Sequence, residues 1–215
     1  MLVLSLNNKE VKIPQSYNEL TLENFQQLWK ILCKYNLTNP DTDDELDNRV
    51  LDEINLTKEL CAKLIGLSPK DVDKLDYTQC QQVVDVFNNM LDGDKFESEW
   101  GSHEFTHNGE TYYFPQPDFK TMTFGEYATL KQYEQVLSKD NDKRFDFIPE
   151  QIALCCRKKD EEKESYDLGE RAKLFKDITM DVVMRLTFFL HKRIETLQHL
   201  TQIYSKETKT VQQEN

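Results

Sequence analysis

The residue types that most often do chemistry are sparse in this 215-residue chain, and their spacing gives them little to do together. Its four histidines fall in two pairs. His103 and His107 are four apart, a spacing that can hold zinc on one helix face. The run HEFTHNGETYY instead alternates like a strand entering a hairpin, where positions four apart stand about 13 Å from each other. They read as surface polar residues. His191 and His199 sit among Lys192, Arg193 and Gln198, and no cysteine or carboxylate cluster gathers around them at metal spacing. The six glycines are scattered, with no P-loop and no GxGxxG to cradle a phosphate. No GxSxG or Ser-His-Asp arrangement appears as a local motif. The expectation is a non-enzymatic protein with no catalytic residues, metal or cofactor.

Five cysteines, Cys33, Cys61, Cys80, Cys155 and Cys156, form an odd set with no CxxC. Most lie among apolar residues on predicted helices, where a free thiol behaves as a small hydrophobe, so reduced core thiols are expected. The vicinal pair in ALCCRKK has a sharper reading, because Arg157, Lys158 and Lys159 follow it and cations lower a thiol pKa. Burial opposes that effect and makes most such cysteines inert.

Charge sets the wider limits. Lys plus Arg number 27 against 39 Asp plus Glu, a formal net charge of −12. Such a surface repels phosphate backbones and anionic lipid, so neither nucleic acid nor a membrane is an expected partner. The runs DTDDELDN and KDEEKE read first as solvated loops. An alternative is a DNA mimic, in which ordered carboxylates copy phosphate spacing to occupy a host DNA-binding enzyme; interrupting lysines weaken it. The opening MLVLSLNNKEVKIP lacks a basic n-region and a long apolar h-region, and no stretch approaches the roughly 18 apolar residues of a membrane span. A cytoplasmic protein is expected.

The elements that must position these residues occur twice. VLSLNNKEVKIPQSYNELTLENFQQL and HEFTHNGETYYFPQPDFKTMTFGEYATL share an order of features about a hundred residues apart. Each alternates, turns at Asn7-Asn8 or Asn108-Gly109, returns, breaks at Pro14 or Pro115, and reaches a threonine able to cap a helix, Thr21 or Thr123. Asn-Gly between apolar runs is a strong hairpin signal, since a type I′ turn needs positive φ at both central residues. Thr123 with Glu126 makes a capping box. Leu20 and Phe25, like Met122 and Tyr127, are spaced as a hydrophobic staple.

Polar loops follow at 36–48 and 138–144, then short apolar helices, ELCAKLI and QIALCCR, then helices introduced by Thr78 and Thr179. In the last, Val183, Leu186, Leu190, Ile194 and Leu197 recur at three- and four-residue spacing, a packed stripe. The predicted fold is α+β and predominantly α-helical, built of two tandem β-hairpin-plus-helices units. The first covers 1–95 and the second 102–204; a charged linker near 92–101 separates them, and the polar tail 205–215 is predicted to be flexible.

The second hairpin is crowded with Tyr112, Tyr113, Phe114, Phe119, Phe124 and Tyr127. Most are expected in the core. Alternation along a strand forces Tyr112 and Tyr113 to opposite faces, so one points outward. An exposed aromatic edge suits a partner surface, and Tyr112, Tyr113, Phe119 and Met122 are the candidate protein-binding residues.

Taken in order, the hairpin before IPQSYNELTLENFQQL, then YYFPQPDFKTMTFGEYATL, an apolar helix, a tyrosine-bearing loop at 166–170 and paired Phe188-Phe189 resemble the small acidic proteins of tailed-bacteriophage structural-gene blocks, tail assembly chaperones and related tail morphogenesis factors. The doubled unit departs from the shorter chaperones. The resemblance implies action by protein–protein contact in virion morphogenesis, with other phage structural or tail proteins as partners. It places the protein in the host cytoplasm or the virion and leaves a homo-oligomer open.

Overall fold

The computed structural model describes residues 2–6, 9–35, 43–91, 103–115, 122–137, 141–159, 161, 166–187 and 190. The chain opens with an antiparallel hairpin of β1 (Leu2–Leu6) and β2 (Lys9–Ile13), registered from Leu2 opposite Ile13 to Leu6 opposite Lys9. After a short 3-10 turn, Thr21 caps α1 (Leu22–Lys34), its side chain accepting from the Asn24 amide at 3.4 Å. Leu22, Phe25 and Leu28 are buried at three-residue intervals, while Glu23, Asn24 and Gln27 between them are exposed. Phe25 and Trp29 meet the edge of Phe145 at 4.9 and 5.2 Å, while Gln26 donates to the Phe145 carbonyl at 2.8 Å. The first helix therefore docks on the second half of the chain.

The next helix corrects the part of the expected loop over 43–48, and the short helix ELCAKLI, while 36–42 lie outside the described residues. Helix α2 (Asp43–Ile65) starts inside that acidic run. Clustered carboxylates at a helix N-terminus are favoured by the macrodipole, and Arg49 pairs with Glu53 one turn on at 2.9 Å, so charge that reads as a loop supports a helix. Gly66, at φ 67, ends it, letting the Leu67 amide reach the Ala62 carbonyl at 3.0 Å. Ser68 then caps α3 (Pro69–Val72) with proline in its first turn. Helix α4 (Tyr77–Leu91) begins earlier than the expected Thr78 start. The Asp76 carbonyl accepts from Cys80, and the Gln79 side chain reaches back to the Asp76 amide at 3.3 Å, so Asp76 takes the cap and Thr78 is left on the surface.

The second hairpin joins β3 (Glu104–His107) to β4 (Glu110–Tyr113). Asn108 and Gly109 have φ of 51 and 79, the turn their types predict. A third strand, β5 (Arg157–Lys158), adds to β4 with Tyr112 opposite Lys158 and Tyr113 opposite Arg157. Two residues are too short to show alternation. Around this sheet stand α5 (Phe124–Leu137), α6 (Ile148–Cys155), which is almost wholly buried, α7 (Leu168–Lys173), and α8 (residues 180–187). The predicted stripe positions Ile194 and Leu197 and the tail 205–215 lie outside the described residues.

Thr21 and Thr179, the caps of α1 and α8, meet in an isolated antiparallel bridge. The Leu22 amide donates to Ile178 at 2.7 Å and the Met180 amide to Leu20 at 2.8 Å. The main core draws Leu22, Phe25, Leu28 and Phe87 from before the linker and Phe105, Ile152, Phe175 and Leu186 from after it. A smaller core joins Ile13 to Cys61, Ile65, Val72, Cys80 and Val83. The described protein is a mostly helical α+β fold, and no helix among the described residues is long and apolar enough to cross a membrane.

Candidate protein-contact site

Strand β4 sorts the two tyrosines as alternation requires. Tyr112 is buried, stacked on Phe105 at 5.5 Å and edge-on to Phe175 at 5.1 Å. Tyr113 turns outward and is 37% exposed. Of the other two residues read as a contact surface, Met122 is also in the core, and Phe119 lies outside the described residues. Tyr112 and Met122 are thus corrected from surface to core. Met122 precedes the cap, the staple position, whose side chain must tuck under the first turn.

Phe124, one of the aromatics crowded around the second hairpin, is 85% exposed. The signal was in the cap itself. With Thr123 as cap, Phe124 is the first helical residue, and a staple uses the residue before the cap and the fourth helical residue, leaving the first on the outer side. The capping box forms as predicted: the Glu126 amide donates to the Thr123 hydroxyl at 3.2 Å and the Thr123 amide to Glu126 Oε2 at 2.7 Å. Glu126 also ion-pairs with Arg157, the register partner of Tyr113. That link ties the helix end carrying Phe124 to the strand pair carrying Tyr113.

Behind these two aromatics lies a buried polar network. Glu126, Arg157 and Arg171 are all buried. The Tyr166 hydroxyl donates to Glu126 Oε1 at 3.2 Å. Arg171 donates to both carboxylate oxygens of Glu161, and to the Cys156 carbonyl at 2.6 Å. Its guanidinium also lies 4.2 Å from the Tyr166 ring centroid. Glu161 in turn accepts from the Lys158 amide at 2.8 Å. The network binds β5, α5, α7 and the loop between them. At the far end of the hairpin, His107 Nε2 stands 2.6 Å from the Leu174 carbonyl oxygen, a contact the Nε2–H tautomer makes by donating.

Burial by itself would raise the Glu126 carboxyl, but the Thr123 amide, the Arg157 guanidinium and the Tyr166 hydroxyl together hold it below the usual glutamate value. Glu161 is likewise lowered: burial opposes, and Arg171 and the Lys158 amide prevail. Burial raises Tyr166. Burial also lifts the Cys156 thiol well above its ordinary value, with Cys155 adding to the rise and Arg171 and Arg157 only partly offsetting it. The cations near the cysteine pair therefore lose to desolvation, and the thiol stays protonated at neutral pH. Each shift moves its group away from neutrality. What the network supplies is fixed charge and a rigid backing for an aromatic surface.

The four other cysteines are free as well, Cys61 and Cys80 buried and Cys33 half-buried among them. Among the described residues no group of three or more His, Cys, Asp or Glu is placed to hold a metal ion. Compared with known proteins, the chain matches no family model, no curated protein and no solved structure.

Proposed function

We propose that this chain is a non-enzymatic protein–protein interaction protein of tailed-phage virion morphogenesis, acting as a tail assembly chaperone or as a structural tail component. Its partners are other phage structural proteins, met in the host cytoplasm or in the virion. The observation that carries the reading is the pair Tyr113 and Phe124, two large aromatics left in solvent on a frame fixed by buried ion pairs. Rigid aromatic anchors with little side-chain entropy to lose are the usual centres of binding energy. The order of sequence features shared with phage tail proteins gives the biological setting.

An internal duplication belongs to the same proposal. Two hairpins, each followed by a threonine-capped helix, support it. In a crystal structure residues 4–30 should superpose on 104–132, and helices leaving the two hairpins in unrelated directions would overturn it.

Truncating Phe124 or Tyr113 to alanine is expected to leave stability within about 1 kcal/mol, because neither fills a core, while weakening capture of products of the flanking genes by about 1–3 kcal/mol. Pull-downs paired with urea unfolding separate the two effects. Unchanged capture by both variants would sink the contact site. Salt-sensitive binding to a basic DNA-handling enzyme, with no affinity for tail proteins, would replace the proposal with the DNA mimic.

A further inference from the structure

The turn of the second hairpin holds the chain's one Asn-Gly step, a pair in which the backbone can react with the side chain before it. The Gly109 nitrogen attacks Cγ of Asn108, and glycine brings no Cβ to hinder it. The N–Cγ bond forms, the Cγ–Nδ2 bond breaks, and ammonia leaves with the proton from the Gly109 nitrogen, closing a five-membered succinimide. Water then opens one of the two ring carbonyls. One opening gives aspartate; the other gives isoaspartate, with the backbone rerouted through the former side chain. Nothing is oxidised or reduced.

Both residues are exposed, and a Cβ built at Gly109 would meet nothing within 4 Å, so the approach is open. At rest the turn holds the reacting atoms apart. Asn108 at φ 51 and Gly109 at φ 79 have the signs of a type I′ turn. The left-handed conformation, with ψ about +47°, swings the Gly109 nitrogen away from the Asn108 side chain. Ring closure needs ψ about −120°, the value at the first central residue of a type II′ turn. Turning over the single peptide between the two residues converts one turn into the other. The φ of Asn108 hardly changes, and that of Gly109 passes from positive to negative, a change glycine makes at little cost. The ladder is left intact, because its last pair is His107 opposite Glu110 and both turn types close a two-residue hairpin. We infer that Asn108 is a site of spontaneous covalent modification, cyclising onto Gly109 from a peptide-flipped state of the intact hairpin and ending as aspartate or isoaspartate. The amide that is lost rests 3.1 Å from His107 Nε2, which also holds the Leu174 carbonyl just after α7 at 2.6 Å. Isoaspartate adds a carbon to the backbone of the turn, so the modified hairpin grips that carbonyl less firmly.

The test is to age the full chain in warm neutral buffer and follow it by mass spectrometry. Trypsin releases residues 96–120 as a peptide whose sole asparagine is Asn108. With time this peptide should give two new forms, separable by chromatography, each one mass unit heavier than the parent. In water enriched with heavy oxygen each should be three units heavier, because ring opening takes its oxygen from solvent. An Asn108→Gly variant keeps a Gly-Gly turn able to hold both positive φ values, so it should melt as the parent does and lose both forms. Urea kept below the unfolding transition should leave the rate of conversion unchanged, since the flip exposes little new surface. A rate that climbs with urea in that range would place the reaction in an opened hairpin and overturn the inference. So would the absence of heavier forms, or heavier forms that persist in Asn108→Gly and therefore arise at Gln116.

Discussion

At the scale of single residues, the ion pair between Glu126 and Arg157 fixes what can be changed safely. Glu126→Gln keeps an amide able to accept from Thr123 but leaves the Arg157 charge buried without its counter-ion. Removing one member of such a pair costs about 3–5 kcal/mol, whereas replacing both is often close to neutral. Urea unfolding should therefore show Glu126→Gln and Arg157→Met each strongly destabilised, and the double variant closer to the parent than either. A double variant as weak as the sum of the singles would mean the pair contributes nothing as a unit. Both Glu126 and Glu161 have folded pKa values below the ordinary one. Their contribution is then complete above about pH 4.3 and is lost as pH falls through the lowered folded values. The urea midpoint should decline in that acidic window, and less steeply in the double variant. Thr123 and Glu126 were legible in the sequence because a capping box is a local pattern. Arg157, Glu161 and Arg171 were not, because they meet only after the chain has folded back on itself; Glu161 stands in the run KDEEKE, which reads as a solvated loop.

Elements show the same division between near and far. The turn at Asn108 and Gly109 was legible in full, since the φ requirement is local. A Cβ at Gly109 would meet nothing within 4 Å, so Gly109→Ala isolates the conformational penalty of positive φ, about 1 kcal/mol. A thermal or urea measurement finding no loss would show that the turn relaxes. The caps at Thr21 and Thr179 were also readable, but their meeting in one bridge was not. Helix α2 was misjudged because an acidic helix and an acidic loop have nearly the same composition. The surface aromatic was not singled out for the converse reason, that Phe124 is apolar by type and exposed by position.

For the whole molecule, the question is whether two similar-looking halves are two folding units. Their main core is common property, with Leu22 and Phe25 of α1 in the same cluster as Phe175 and Leu186. Fragments 1–95 and 102–204 are each expected to lack a cooperative unfolding transition alone, and to regain one when mixed. Circular dichroism melts of each fragment and of the mixture test this; either fragment melting sharply by itself would show an autonomous core. Predominant helix and the two hairpins were visible in the sequence, but the third strand at Arg157–Lys158 and the sharing of one core were hidden, since a repeated pattern looks like two bodies until the contacts between them are seen.

The bridge between Thr21 and Thr179 also sets a timetable. During synthesis the Leu22 amide has no acceptor until Ile178 has emerged, and the Leu20 carbonyl has no donor until Met180 has. At about 5–20 residues per second, the roughly 160 residues between them take some 8–30 s to make. Through that interval the apolar face of α1 is without the half of its core that comes last. Contacts this distant along the chain also close slowly once the chain is free. The nascent first half is therefore the stretch most exposed to misassociation, and ribosome-bound chains halted before residue 178 should be more open to protease around Phe25 and Leu28 than chains halted after 204.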